Sequence, residues 1–134
     1  MSTASQTVEG GPAEMAERAA EAVRSLNHLT LVPPTPGTVA WEHVGDLYRA
    51  MAEVRSLVER LPQALGQIAG HLGRSVNAYE ADGGTDLRSE ELVIDAVAAL
   101  EAAHCCIGDA GRYLDLAQGA VSHLYEPDPD DRGR

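Results

Sequence analysis

Glu101, His104, Cys105 and Cys106 put more chemistry into less sequence than any other part of this chain, in the run EAAHCCIGDAG at residues 101–111. Glu-x-x-His on a bundle helix is half of a di-iron carboxylate site, which needs a second such pair and two further Glu, all facing inward. The chain offers one copy, and no carboxylate of the preceding helical segment faces inward at the matching level. Two thiols beside an imidazole suggest zinc or redox work. Consecutive helical residues fan out by about 100° each, however, so His104, Cys105 and Cys106 cannot converge on one ion. A CxxC spacing could, and it is absent. The stretch predicts no metal site, with Cys106 serving as a small hydrophobe, the common role of a buried free Cys.

A second constellation depends on topology. In an up-down-up bundle His28, His43 and His123 meet at one pole with Glu42, Trp41 and Tyr125, and three imidazoles with a carboxylate are a zinc donor set. Against this, His28 and His123 fall on outward positions, where histidine is ordinary surface. Catalytic signatures are missing. There is no phosphate-cradling Gly-rich loop, no G-x-S-x-G elbow and no HExxH. Arg24 and His28 stand too close together for the arginine–histidine motif of helical ribonucleases, and DGGTD lacks calcium-loop spacing.

The elements that would position these groups are helices. LVPPTPGT (31–38), EADGGTD (80–86) and EPDPDDRGR (126–134) break the chain. Between them the apolar residues alternate at spacings of three and four. The first segment carries Met15, Ala19, Ala22, Leu26 and Leu29. The second, after Thr38 as N-cap, carries a stripe from Val44 through Leu61, Leu65 and Ile68 to Leu72. The third carries a stripe from Val93 through Ile107, Ala110, Leu114 and Ala117 to Leu124, with Glu90 and Glu91 suited to the helix N-terminus. A sustained 3.5-residue repeat predicts left-handed supercoiled packing. Pro62 should break the second helix, yet the phase is the same on both sides of it. One long, kinked helix is therefore predicted; a turn at Pro62 is the alternative. Helices of about 55 Å joined by a short Gly-rich turn make an antiparallel hairpin, and a flanking row on the third helix (Leu92, Ala99, Cys106, Tyr113, Ala120) is more apolar surface than a two-helix seam covers. Pairing around residue 84 sets Cys106 level with Pro62, and Gly108 and Gly111 opposite Arg60 and Leu57. EAAHCCIGDAG then reads as small residues accommodating the proline. Gly66, Gly70 and Gly73 form a row on the outer face of the second helix. They suit either a close helix contact or a loosened end with Gly73 as C-cap.

Composition narrows the classes. The chain has 134 residues, enough for one small domain, and its hydrophobic residues are mostly Ala, Leu and Val, with no Phe and one Trp. The formal net charge is −11 and all ten cations are Arg. No basic stripe exists to release counterions from nucleic acid; the acidity permits a basic partner, and Arg with abundant Ala and Gly fits a GC-rich genome. No apolar run reaches the ~18 residues of a membrane span, and MSTASQTVEGGPAE has neither the basic start nor the apolar core of a secretory signal. Two adjacent cysteines do not favour a mutual bridge. A reduced, cytoplasmic setting is expected.

The stretches TPGTVAWEHVGDLYRAMAEVRSLVERLPQALGQIAGHL and AVAALEAAHCCIGDAGRYLDLAQGAVSHL resemble the small Ala- and Leu-rich helical proteins of high-GC Gram-positive bacteria, some of them from mobile-element and plasmid loci. The resemblance lies in composition and pattern over most of the chain and transfers no site residues.

The expected fold is all-α: a long antiparallel hairpin, its second helix kinked at Pro62, with a shorter N-terminal helix packed on it in a coiled-coil-like three-helix bundle. Residues 1–12 are expected to be disordered, 13–125 to form one domain with helices at about 13–30, 39–78 and 89–125, and 126–134 to be an acidic disordered tail. The expected function is a non-enzymatic helical interaction or adaptor protein that self-associates, as a homodimer. One alternative is a bundle binding metal or a small ligand at His28, His43 and His123 or at Glu101 and His104. Another is an acidic regulator that sequesters a basic partner. No catalytic, cofactor or metal residue is assigned, and no cofactor, nucleic acid or membrane partner is expected.

Overall fold

The computed structural model of the protein describes residues 10–31, 43–128 and 130. They are all-α, with no strand among the described residues: Pro12–Thr30 (α1), Val44–Arg74 (α2), a single 3-10 turn at Val76–Ala78, and Ser89–Val121 (α3). Residues 1–42 and 43–134 form two compact units. In the first, Pro12 stands at the start of α1, where its missing N–H costs nothing, behind Gly11 as N-cap. None of the 19 residues of α1 is buried. The expectations for residues 1–9 and 32–42, including Thr38 as N-cap, Trp41 and Glu42, lie outside the described residues.

The second unit is the hairpin. α2 has 31 residues and α3 has 33, about 46 and 50 Å, and they pack as an antiparallel pair. α2 runs through Pro62 without a break, as its unbroken apolar phase predicts. It starts at Val44 rather than residue 39, because His43 has extended backbone (φ −139°, ψ 158°) and takes the N-cap position. The Asp46 carboxylate accepts from the His43 backbone N–H at 3.1 Å, half of a capping box. The other end runs past Gly73 to Ser75, whose N–H reaches the His71 and Leu72 carbonyls, so Gly73 is not the C-cap. Gly83 and Gly84 make the turn, with the Gly84 N–H donating to Asp82 Oδ1 at 2.9 Å. α3 opens with the Arg88 N–H on Glu91 Oε2 at 3.0 Å and ends at Val121, short of residue 125.

Several seam positions differ from the 3.5-residue stripe. Along α3 the seam keeps Val93, Leu100, Ala103 and Ile107, then passes to Gly111, Leu114, Gln118 and Val121. Ala110 and Ala117 are exposed. Along α2 it passes from Val58 to Pro62, Leu65, Ala69 and Leu72, which leaves Leu61 and Ile68 exposed. The reason is geometric. A straight helix with 3.6 residues per turn drifts about 20° per heptad against a 3.5-residue repeat, so the next residue along eventually takes the inward place. Both helices make this change at one level, beside Pro62.

Contacts fix the register. Gly111 lies against Val58, where an added Cβ would meet Val58 Cγ1 at 3.9 Å. Pro62 shares a hollow with Ile107, Gly108 and Gly111. Leu72 sits by Val93 and Ala96 near the turn. The small residues do face the proline, one or two positions from the predicted pairing. Cys106 is not among them: it is exposed, so its expected burial as filler is corrected.

Candidate interaction surface

Placement on the helices decides what the reactive side chains can do. Glu101, His104, Cys105 and Cys106 are all exposed on α3, and His104, Cys105 and Cys106 point in different directions, as the 100° step requires. Among the described residues, no three His, Cys, Asp or Glu side chains are grouped to hold a metal ion. His43 is engaged elsewhere, its Nδ1 lying 3.2 Å from Glu126 Oε2. His123 is exposed in the turn after α3, and His28 belongs to α1, in the other unit.

Glu126 is the residue that the sequence reading misplaces. It is assigned to a disordered tail, yet its second oxygen accepts from the Val44 backbone N–H at 3.0 Å. A helix N-terminus leaves its first N–H groups without partners and carries partial positive charge. Glu126 and Asp46 satisfy two of these donors at the start of α2. No local pattern marks a cap that comes from 82 residues away.

The two sides of the hairpin differ in kind. On one side Arg55 reaches from α2 to α3, with Nη1 2.8 Å from Asp115 Oδ1, and its Nε lies 3.4 Å from Glu59 on its own helix. Glu90, Glu101 and His104 flank the seam on the same rotational side of α3 as Asp115. Because the helices are antiparallel, the Arg55–Asp115 bridge shows that like rotational flanks emerge together. The opposite flanks therefore share the other side of the hairpin.

That other side is apolar and uncovered. α2 supplies the exposed Leu61, Ala64 and Ile68, with the half-buried Ala50 and Leu57 before them. α3 supplies the flanking row predicted from the sequence, in which Ala99, Cys106, Tyr113 and Ala120 are exposed. Ile68 is 51% exposed and Tyr113 73%. Buried positions among the described residues come down to Ala69, Val93 and Gln118. Two helices can shield only the seam between them, and α3 is apolar well beyond that seam.

Gln118 is the polar exception in the seam. It is 6% exposed and its Oε1 has no hydrogen-bond partner. The 3.5-residue stripe puts Ala117 there, so the sequence reading passes Gln118 over.

No helix among the described residues is long and apolar enough to cross a membrane. Comparison with family models, with curated proteins and with solved structures finds no match.

Proposed function

We propose that this chain is a non-enzymatic helical protein–protein interaction module, and that it self-associates through the apolar side of the α2–α3 hairpin. The observation that supports this is the exposure of Leu61, Ile68, Cys106 and Tyr113 on one side, with Leu57 half-buried beside them, while the ion pairs of Arg55 lie on the other. Monomeric proteins rarely leave a contiguous apolar patch beyond a few hundred Å² in water. A face about 45 Å long and two helices (about 18 Å) wide is about 800 Å², which is what each partner contributes to a standard stable interface.

Light scattering coupled to size exclusion, across the micromolar range, tests the reading. A mass of two or more chains is expected. A monomer at several hundred micromolar overturns it.

A further inference from the structure

We infer that the occupant of the apolar side is a second copy of the same chain, stacked about a two-fold axis parallel to the helices so that α2 lies on the partner's α3. This rests on the self-association reading and specifies its geometry. Charge along the two edges of the face carries it. The α2 edge holds Arg60 and His71, with Asp46 and Glu53 toward its start; the α3 edge holds Glu91, Asp95 and Asp109. Among the described residues Arg60 makes no ion pair, and Asp109 pairs with Arg112 on its own helix. Carboxylates along the α3 edge and an arginine without an ion pair on the α2 edge complement each other only when α2 meets α3.

The levels agree. Val58 lies against Gly111; two positions on along α2 is Arg60, and two positions back along α3 is Asp109. A two-fold parallel to the helices preserves level, so it brings Arg60 to the partner's Asp109. Ile68 comes level with the partner's Ala102, Ala64 with the partner's Cys106 and Leu57 with the partner's Tyr113. All neighbours in the resulting four-helix bundle are antiparallel. The other face-to-face stacking uses a two-fold perpendicular to the helices. It sets α3 on α3 and α2 on α2, with the carboxylates of the α3 edge against their own copies, which is disfavoured.

Cysteine pairing distinguishes the outcomes. With Cys105→Ser as background, Ala64→Cys faces Cys106 of the other copy. Within one hairpin the same two positions both point out of the apolar side from helices at least about 8 Å apart, too far to bridge. Mild oxidation of C105S/A64C should give disulfide-linked dimers on non-reducing gels, and C105S alone should not. Efficient linkage by C105S alone, or none by C105S/A64C while light scattering reports a dimer, overturns the geometry and leaves self-association standing. A monomer by light scattering, with α1 or nothing on the apolar side, overturns both. Independently, Arg60→Glu should raise the dimer dissociation constant by about tenfold, through two symmetric contacts. Adding Asp109→Arg to the same chain should restore it. Failure of that restoration counts against the pairing.

Discussion

Glu126 accepts a hydrogen bond from the backbone N–H of Val44 at 3.0 Å, joining the segment after α3 to the first residue of α2. The contact closes the end of the hairpin opposite its turn. It also explains why α2 can begin at His43, a residue whose side chain is a poor N-cap acceptor: the acceptors come from Asp46 and from Glu126.

Replacing Glu126 with Ala should therefore lower stability by about 1 kcal/mol, the usual value of a helix N-cap. Thermal unfolding followed by circular dichroism measures the loss. Hydrogen exchange should localise it, with the Val44 amide exchanging faster and the amides near Pro62 unchanged.

Pro62 predicts a change of the opposite sign. Its ring withholds the N–H that the Val58 carbonyl would accept in a regular helix, and interior proline costs about 3 kcal/mol relative to Ala. The inward site beside Gly108 and Gly111 has room for the smaller residue. Pro62→Ala should raise the melting temperature, and a fall would mean that the ring's packing outweighs the missing hydrogen bond.

The glycines separate by their surroundings. A Cβ at Gly66 or Gly108 would meet nothing within 4 Å, so Ala at either should stabilise the hairpin by about 0.5–1 kcal/mol through helix propensity. Neither position lies on the apolar side, and light scattering should show association unchanged. Gly111 differs because Val58 is in contact range. Leu there should overpack the seam and cost about 1–3 kcal/mol, whereas Leu at the exposed Cys106 should leave hairpin packing unaffected.

Gln118 offers a fourth test. A buried acceptor without a partner costs about 1–3 kcal/mol, and methionine has similar length without the amide. Gln118→Met should raise the denaturant midpoint. A lower midpoint would show that the amide does find a partner in solution.

Much of this architecture was legible in the sequence. The chain breaks at EADGGTD and the unbroken phase across Pro62 sufficed to place two long helices and a turn, since each is a local property of the sequence. The flanking row of α3 was legible too, and its exposure follows from a hairpin having only one seam. Seam positions beyond Val58 and Ile107 were not, because three-and-four spacing fits a 3.5-residue repeat and a drifting 3.6-residue helix equally well over a few turns. Leu61 and Ile68 thus read as core but lie on the open side, and Pro62 and Gln118 take the inward places. The role of Glu126 was invisible for another reason: its partner is distant in sequence, and only the folded hairpin brings them together.

The Glu126–Val44 contact also has a kinetic consequence. Across an antiparallel hairpin the sequence separation of facing residues grows steadily away from the turn. It is 60 at Arg55–Asp115 and 82 at Val44–Glu126. Loop-closure entropy rises with that separation, so pairing that starts near Gly84 closes as a zipper, each layer shortening the loop that the next must close. The clasp at Val44 is then the last contact made on folding and the first to fray. The open end of the hairpin, rather than its turn, sets where the chain begins to come apart.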